Sequence, residues 1–217
     1  MSKVLPILFN GDMVRAILDG RKTVTRRVVK VPPYYPHFYK LHDNADGALS
    51  GTKNRLYAGF YNNEKIFYIY GKKHVDAVYY QAPYQPGDIL YVRETWCDDR
   101  QFTHYSTPGR YFYKASEREE FTPKWRPSIH MPKESARIWL KVKNVRVERL
   151  QDITEGQVQK EGIDVCNGVY RGYSDGIEMF EELWNCTIKK SDLDRYGWGA
   201  NPWVWVIEFE RREKPED

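Results

Sequence analysis

Hydrophobic and polar positions alternate along several segments of this chain, and the period of that alternation predicts the secondary structure. The opening run LPILF is short and apolar, and Asn10 follows it as a helix N-cap. Apolar residues then recur at helical spacing over residues 13–18, and Gly20 stands where a helix end favours a left-handed residue. Next, TVTRRVVKV alternates β-branched and polar residues until Pro32-Pro33. The opening is therefore predicted to run strand, helix, strand.

The same period-two pattern predicts three further strands. The turn Pro86-Gly87-Asp88 precedes ILYVRETW, whose residues alternate between two faces and end in Arg93 and Glu94. The segment ARIWLKVKNVRVERL alternates with a one-residue slip, which predicts a β-bulge near Lys143-Asn144. The last strand is predicted over Trp203–Arg212.

Two more short helices are predicted in the second half of the chain. Asp152 and Glu155 have the spacing of a capping box, for a helix that ends near Gly162. Residues 177–188 form a second amphipathic segment. Many strands, three short helices and no alternation of strands with long helices favour an α+β fold built on a mixed β-barrel. The expected organisation is a single domain over residues 1–217.

A tyrosine-rich segment interrupts this pattern. Ten of the 17 tyrosines lie between residues 32 and 84, where RLYAGFYNNEKIFYIYG predicts a hairpin that turns at Asn62-Asn63. We interpret residues 32–84 as an insertion and residues 98–135 as a long loop. The tyrosines of the insertion either pack as ordinary sheet residues, stack on bases, or form an interface for a phage or host protein.

Composition narrows the classes of function. The chain has 217 residues and three widely spaced cysteines, which indicates neither a disulfide scaffold nor a zinc module, and we expect no metal and no cofactor. No apolar stretch approaches the length of a membrane span or a signal sequence, so we expect a cytoplasmic protein with no membrane partner. Residues 20–30 carry five basic residues and no acid, a pattern typical either of a phosphate-binding corner or of a solvated strand face.

Four segments in this order resemble the ASCH domain of the PUA-like superfamily, in particular its longer phage-associated members. They are AILDGRKTVTRR, PGDILYVRETW, LQDITEGQVQKEGI and NPWVWVIEFER. The resemblance implies a β-barrel with short helices at its rim and a cleft associated with RNA binding. Some small members of the family are amidohydrolases that remove the acyl group of N4-acetylcytidine with a lysine, a threonine and a glutamate. Matched motif to motif, these residues correspond to Lys22, Thr25 and Glu161.

Those three residue types suit amide cleavage. Thr25 can attack the acyl carbon, and Lys22 can act as a base if the arginines around it and burial lower its pKa. Glu161 can carry a proton to the leaving nitrogen, or it can pair with Lys22 and keep the lysine charged, and the sequence leaves both roles open. Lys22 and Thr25 face opposite sides of an ideal strand, so they converge only if the corner after Gly20 is a turn or a bulge.

Six further residues are candidates for binding the substrate or nucleic acid. Three of them belong to the basic corner and three to the strand end of ILYVRETW: Arg21, Arg26, Arg27, Arg93, Glu94 and Trp96. A guanidinium suits a phosphate, a carboxylate suits an exocyclic amine, and an indole offers a stacking surface. The structural alternatives are an ordinary ion pair for Arg93 and Glu94 and a core position for Trp96.

Two classes of function follow. The first is a hydrolase of a modified nucleoside such as N4-acylcytidine. The alternative is a non-catalytic RNA- or DNA-binding module of phage origin, or a ribonuclease, in which the basic corner grips phosphates and affinity falls steeply with salt. The greater length of this chain and the pair Arg26-Arg27 after the threonine are departures from the small amidohydrolases, and they suit a larger or charged substrate.

Overall fold

A computed structural model describes residues 2–30, 55–61, 64–70, 78–98, 111–118, 120, 122–164 and 175–215. For residues 55–61, 64–70 and 78–81 it describes the backbone alone. Most of the predicted insertion, much of the predicted loop, Cys166 and the last two residues lie outside the described residues. Tyr84 packs against the core and donates to the Pro6 carbonyl at 2.9 Å, as an ordinary structural residue does. The packing of the other tyrosines of the insertion and their proposed protein partner stay predictions.

The described strands form three sheets. The strands are β1 (Val4–Leu8), β2 (Val24–Val28), β3 (Arg55–Tyr61), β4 (Glu64–Tyr70), β5 (Val78–Gln81), β6 (Ile89–Arg93), β7 (Trp96–Asp98), β8 (Tyr111–Tyr113), β9 (Trp139–Arg149) and β10 (Trp203–Arg212). The main sheet has the order β1-β6-β9-β10-β2, and β3-β4-β5 and β7-β8 form smaller sheets. β1 runs parallel to β6, while the other paired strands of the main sheet are antiparallel. β2 is therefore an edge strand.

Helices cover the main sheet on both faces. They are α1 (Gly11–Leu18), α2 (Glu155–Lys160), α3 (Gly176–Thr187) and α4 (Leu193–Tyr196). Short 3-10 turns lie at Ser128–His130, Lys133–Ser135, Leu150–Asp152, Lys190–Asp192 and Trp198–Ala200. In the part of the chain that the structure describes, no helix has the length and apolarity needed to cross a bilayer.

Alternating residues of the central strands feed two apolar cores. One core packs β10 residues such as Ile207 against Ile17 of α1, and the other packs Val206 against Phe180 of α3. Both faces of β10 are thus buried, which explains its nearly continuous apolar sequence. Because β2 pairs with β10, its side chains are divided between these two cores: Thr25 lies opposite Ile207 and Arg26 opposite Val206.

Several local predictions are confirmed. The Asn10 side chain accepts a hydrogen bond from the Met13 N–H at 2.9 Å and so caps α1. Gly20 ends this helix with φ of 74°, in the left-handed region that favours glycine. The register between β9 and β10 shifts so that Lys143 is the extra residue of a bulge. The hairpin is also present, since β3 and β4 pair with Tyr61 opposite Glu64.

Other predictions need correction. The cap of α2 is at Thr154 rather than Asp152, because Asp152 belongs to a 3-10 turn and Gln157 accepts the hydrogen bond of the Thr154 N–H at 3.0 Å. The predicted loop over residues 98–135 contains β8, which pairs with β7. The structure shows an α+β fold with a mixed sheet, and its described strands do not close into one barrel.

Candidate functional site

A cavity of about 430 Å³ wraps around the edge strand β2. Thr25 and Arg26 project from opposite faces of this strand, yet both line the cavity, because none of the described strands pairs with this edge of β2. The opposite wall comes from α3, where Phe180, Leu183 and Trp184 supply apolar surface. Side chains from both faces of β2 therefore line the same cavity.

Glu161 brings α2 to this cavity through a direct bond with Lys22. Lys22 Nζ donates hydrogen bonds to Glu161 Oε2 at 2.6 Å and to the Glu161 carbonyl oxygen at 2.9 Å. The Lys22 side chain is fully buried, and the Glu161 side chain is 5% exposed. The backbones of these two residues also form an isolated antiparallel bridge just before β2. The pair is therefore fixed by both main chain and side chain.

A glycine makes this approach of α2 to Lys22 possible. Gly162 has φ of 90°, and a Cβ built there would lie 2.7 Å from Ala16 Cβ and 2.9 Å from Lys22 Cβ. Neither atom is the end of a flexible side chain, so a larger residue would push α2 away from α1 and Lys22. Because Gly162 has no side chain, α2 can pack closely enough for Glu161 to reach Lys22.

The environment of Lys22 disfavours its charged form. Burial lowers the pKa of Lys22, the attraction and hydrogen bond of Glu161 oppose that shift, and the charges of Arg27 and Arg26 add to the lowering. The arginines therefore act in the direction that the sequence suggested, but burial is the larger cause. A lysine poised in this way next to a carboxylate is a common feature of functional sites.

Arg26 holds the second oxygen of Glu161. Arg26 Nη1 donates to Glu161 Oε1 at 3.0 Å, and Nη2 donates to Gln157 Oε1 at 3.1 Å and to Glu148 Oε1. Gln157 and Glu161 stand one helical turn apart, so both reach the same guanidinium. The carboxylate of Glu161 is thereby divided between two buried cations, with one oxygen on each.

Thr25 is held by Arg27 on the other face of β2. Arg27 Nη1 donates to Thr25 Oγ1 at 2.7 Å and to the Arg26 carbonyl, and Nη2 donates to the Leu8 carbonyl. The guanidinium and the ammonium of Lys22 both lie within 6 Å of the Phe9 ring centroid. Because Thr25 Oγ1 accepts from Arg27, its own proton remains available for another partner.

A second cavity of about 630 Å³ adjoins the first. Both cavities are lined by Met13, Glu161 and Leu183. Arg21 lines only the larger of the two and bonds the Gly162 carbonyl and Asp19. Glu161 therefore stands in the wall that separates the two spaces.

The structure brings together one part of the predicted site and leaves the other part elsewhere. Lys22, Thr25, Arg26, Arg27 and Glu161 meet at β2, although Lys22 itself is behind the cavity lining. The strand-end group does not join them, as none of its three residues lines either cavity.

The strand-end residues have structural contacts instead. Glu94 is 1% exposed and accepts both arms of Arg137 at 2.9 Å, which is the ion pair named as the structural alternative. Arg93 donates to the Ile129 carbonyl. Trp96 is buried in a third apolar cluster beneath the Arg126 guanidinium. These contacts leave little of the three side chains for a ligand.

Some residues of the site had no distinct signal in the sequence. Glu148 has the pattern of an ordinary strand charge, and Phe180 has that of a core residue on an amphipathic helix. Lys30 belonged to the basic corner but was not singled out as a site residue. Gln157 carried a weak signal, because it stands four residues before Glu161 on the same helix face. Arg137, the partner of Glu94, follows a loop and shows no periodicity that links it to β6.

The described residues include no group of three or more histidine, cysteine, aspartate or glutamate side chains that is arranged to hold a metal ion. The cavity at β2 is lined by a threonine, a shared carboxylate and three cations.

No protein-family model, no curated protein and no solved structure matches this chain.

Proposed function

We propose that this protein is a hydrolase of a modified nucleoside, an N4-acylcytidine-like amide, on a PUA-like fold of the ASCH type. The observation that carries the proposal is the cavity at β2, in which Thr25 and the divided carboxylate of Glu161 line one space. Its volume of about 430 Å³ lies in the range of small-molecule sites. Its apolar wall suits a base, and its polar end suits an amide.

Thr25 is the nucleophile in this proposal. As Oγ1 attacks the acyl carbon, its proton passes to the Glu161 carboxylate, and Arg27 is positioned to stabilise the developing oxyanion. The C–N bond then breaks as Glu161 returns the proton to the exocyclic nitrogen. The nucleoside leaves with a free amine, and the acyl group remains on Thr25 as an ester. Water, deprotonated by Glu161, then hydrolyses that ester and releases the carboxylic acid.

Lys22 is a positioning residue here rather than the group that touches the substrate. Its Nζ donates to Glu161 from the buried side at 2.6 Å, and burial lowers the pKa of Lys22. Of the two roles that the sequence left open for Glu161, this arrangement favours a combination. The carboxylate pairs with Lys22 and still exchanges a proton in the cavity.

The alternative function, a non-catalytic RNA- or DNA-binding module or a ribonuclease, has less support. Its phosphate clamp needs free cations, but Lys22 and Arg26, two of the five basic residues of the corner, are both bound to Glu161. Arg21, Arg27 and Lys30 are left for such a clamp.

Turnover of N4-acetylcytidine by the purified protein tests the proposal, with cytidine release followed by chromatography. We expect Thr25→Ala to lower kcat at least about a thousandfold, because it removes the nucleophile. Thr23→Ala is the matched control, since Thr23 is exposed two residues away, and it should retain activity. Circular dichroism checks that both variants are folded. Undiminished release by Thr25→Ala, or no release by the unsubstituted protein, contradicts the proposal.

A further inference from the structure

Two cations in the cavity at β2 lack an anionic partner. Arg27 donates its described hydrogen bonds to a hydroxyl and two carbonyl oxygens, and it forms no ion pair with any described carboxylate. Lys30 is exposed at the end of β2, lines the same cavity, and has no hydrogen bond or ion pair to a described residue. By contrast, Lys22 and Arg26 are both bound to Glu161.

The charges that line the cavity at β2 also favour an anionic ligand. Three cations and one carboxylate line this cavity, and that carboxylate is already shared by Lys22 and Arg26. The adjoining cavity is lined by five carboxylates and two cations. The two spaces on either side of Glu161 thus have opposite formal charge, and an anionic ligand is attracted to the one that contains Thr25.

Arg27 is also poorly solvated. Burial lowers its pKa, and the negative charge of Glu161 only partly compensates. Its hydrogen bonds go to neutral acceptors, so Arg27 leaves positive charge in the cavity that an anionic ligand can balance.

The two cations stand at different ends of the cavity. The Arg27 guanidinium lies at the Thr25 hydroxyl, to which Nη1 donates at 2.7 Å, whereas Lys30 is five residues further along the chain, about 16 Å from Thr25 at ~3.3 Å per residue. The lysine side chain is long and flexible enough to reach back along the cavity. A ligand whose amide lies at Thr25 therefore meets positive charge at its far end.

We propose that this cavity takes a nucleoside monophosphate rather than an uncharged nucleoside, with the phosphate monoester bound by Lys30 at the end of the cavity away from Thr25. This inference rests on the proposed function for the position of the base, and it assigns the substrate class of that same site. Lys30 supplies affinity without touching the reacting atoms. The phosphate orients the nucleotide so that its exocyclic amide points to Thr25 and Glu161.

Calorimetric titration with two unreactive product analogues, cytidine and cytidine 5′-monophosphate, tests the inference without any turnover. We expect the monophosphate to bind at least about tenfold more tightly at low salt, as is usual for a charge-assisted hydrogen bond. Lys30→Met should remove most of that preference and leave cytidine affinity unchanged. Lys141→Met, on an exposed residue of β9 outside the cavity, should change neither.

Equal affinity for cytidine and its monophosphate, or an unaltered preference in Lys30→Met, overturns the inference. A cytidine-containing RNA oligonucleotide that binds far more tightly than the monophosphate, with a salt dependence of several phosphates, also overturns it in favour of a polymer. Preferential binding of the monophosphate together with no turnover of any N4-acylated substrate would refute the hydrolase and leave the phosphate site standing. The two proposals therefore fail separately.

Discussion

Two buried carboxylates, Glu161 and Glu94, resemble each other in burial and differ in everything else. Glu94 accepts two parallel hydrogen bonds from the single guanidinium of Arg137, which is itself 26% exposed. Glu161 gives one oxygen to Lys22 and the other to Arg26, both fully enclosed, and it also lines two cavities. Burial alone therefore does not distinguish the two carboxylates, and our proposal places a site at Glu161 because only this one is divided between two cations and faces a cavity.

The largest expected effect is on the free energy of unfolding when each carboxylate is removed. Glu161→Ala leaves two buried cations without their shared anion, and we expect a loss of about 3–5 kcal/mol in the free energy of unfolding. Glu94→Ala leaves Arg137, which can turn to water, and we expect a loss of about 1–2 kcal/mol. Urea denaturation followed by circular dichroism measures both. Equal losses would mean that the two pairs are equivalent structural ion pairs.

The glycine next to Glu161 offers a more selective perturbation. Gly162→Ala introduces a Cβ that overlaps Ala16 and Lys22 in addition to the strain of positive φ, and we expect a loss of about 2–3 kcal/mol. Gly87→Ala is the matched control, because Gly87 has φ of 94° and open space around its Cβ position. Its loss should be about 1 kcal/mol, from backbone strain alone. Thermal unfolding compares the two, and indistinguishable values would show that the contact at Gly162 is not tight.

The surroundings of Glu161 and Glu94 are also expected to change the free energy of unfolding with pH in opposite directions. This is the smallest of the expected effects. The pKa of Lys22 is lowered from 10.5, so the unfolded chain binds this proton more tightly and stability rises as pH approaches 10.5. Beside Glu94, burial raises the pKa of Tyr113 from 10.0 to about 12, so its contribution to stability is present below pH 10 and lost as pH rises through about 12.

Variants at each centre separate these contributions. The slope that Lys22→Met removes should be positive and at most about 1.4 kcal/mol per pH unit, the value for one proton. Tyr113→Phe should remove a negative slope above pH 10. Urea denaturation at several pH values measures both slopes, and two slopes of the same sign would contradict the assignment.

Local features of this fold were predictable because their signals lie within a few residues. The cap at Asn10, the end of α1 at Gly20, the bulge at Lys143 and the bounds of β10 all follow from propensity or period. The cap of α2 was misplaced by two residues, because Asp152 and Thr154 are both good N-caps and only the 3-10 turn decides between them.

The sequence indicated which residues of the candidate site come together better than it indicated how they bond. The resemblance to the ASCH domain pointed to Lys22, Thr25 and Glu161, and the structure brings all three to the edge of β2, whereas Arg93, Glu94 and Trp96 lie elsewhere. The partners Glu148 and Arg137 could not be predicted, since each depends on which strands become neighbours. The parallel pairing of β1 with β6 could not be predicted either, because no local sequence pattern specifies it.

The bridge between Lys22 and Glu161 has a consequence for how the chain folds. These residues lie 139 positions apart, and contacts of such separation form slowly because the loop between them must first lose its freedom. Two opposite charges also enter a dry interior at low cost only when they arrive together. We therefore expect the cavity to be completed late, after α1 and the β3–β4 hairpin, and a growing chain cannot form the candidate site until the residues of α2 have been synthesised.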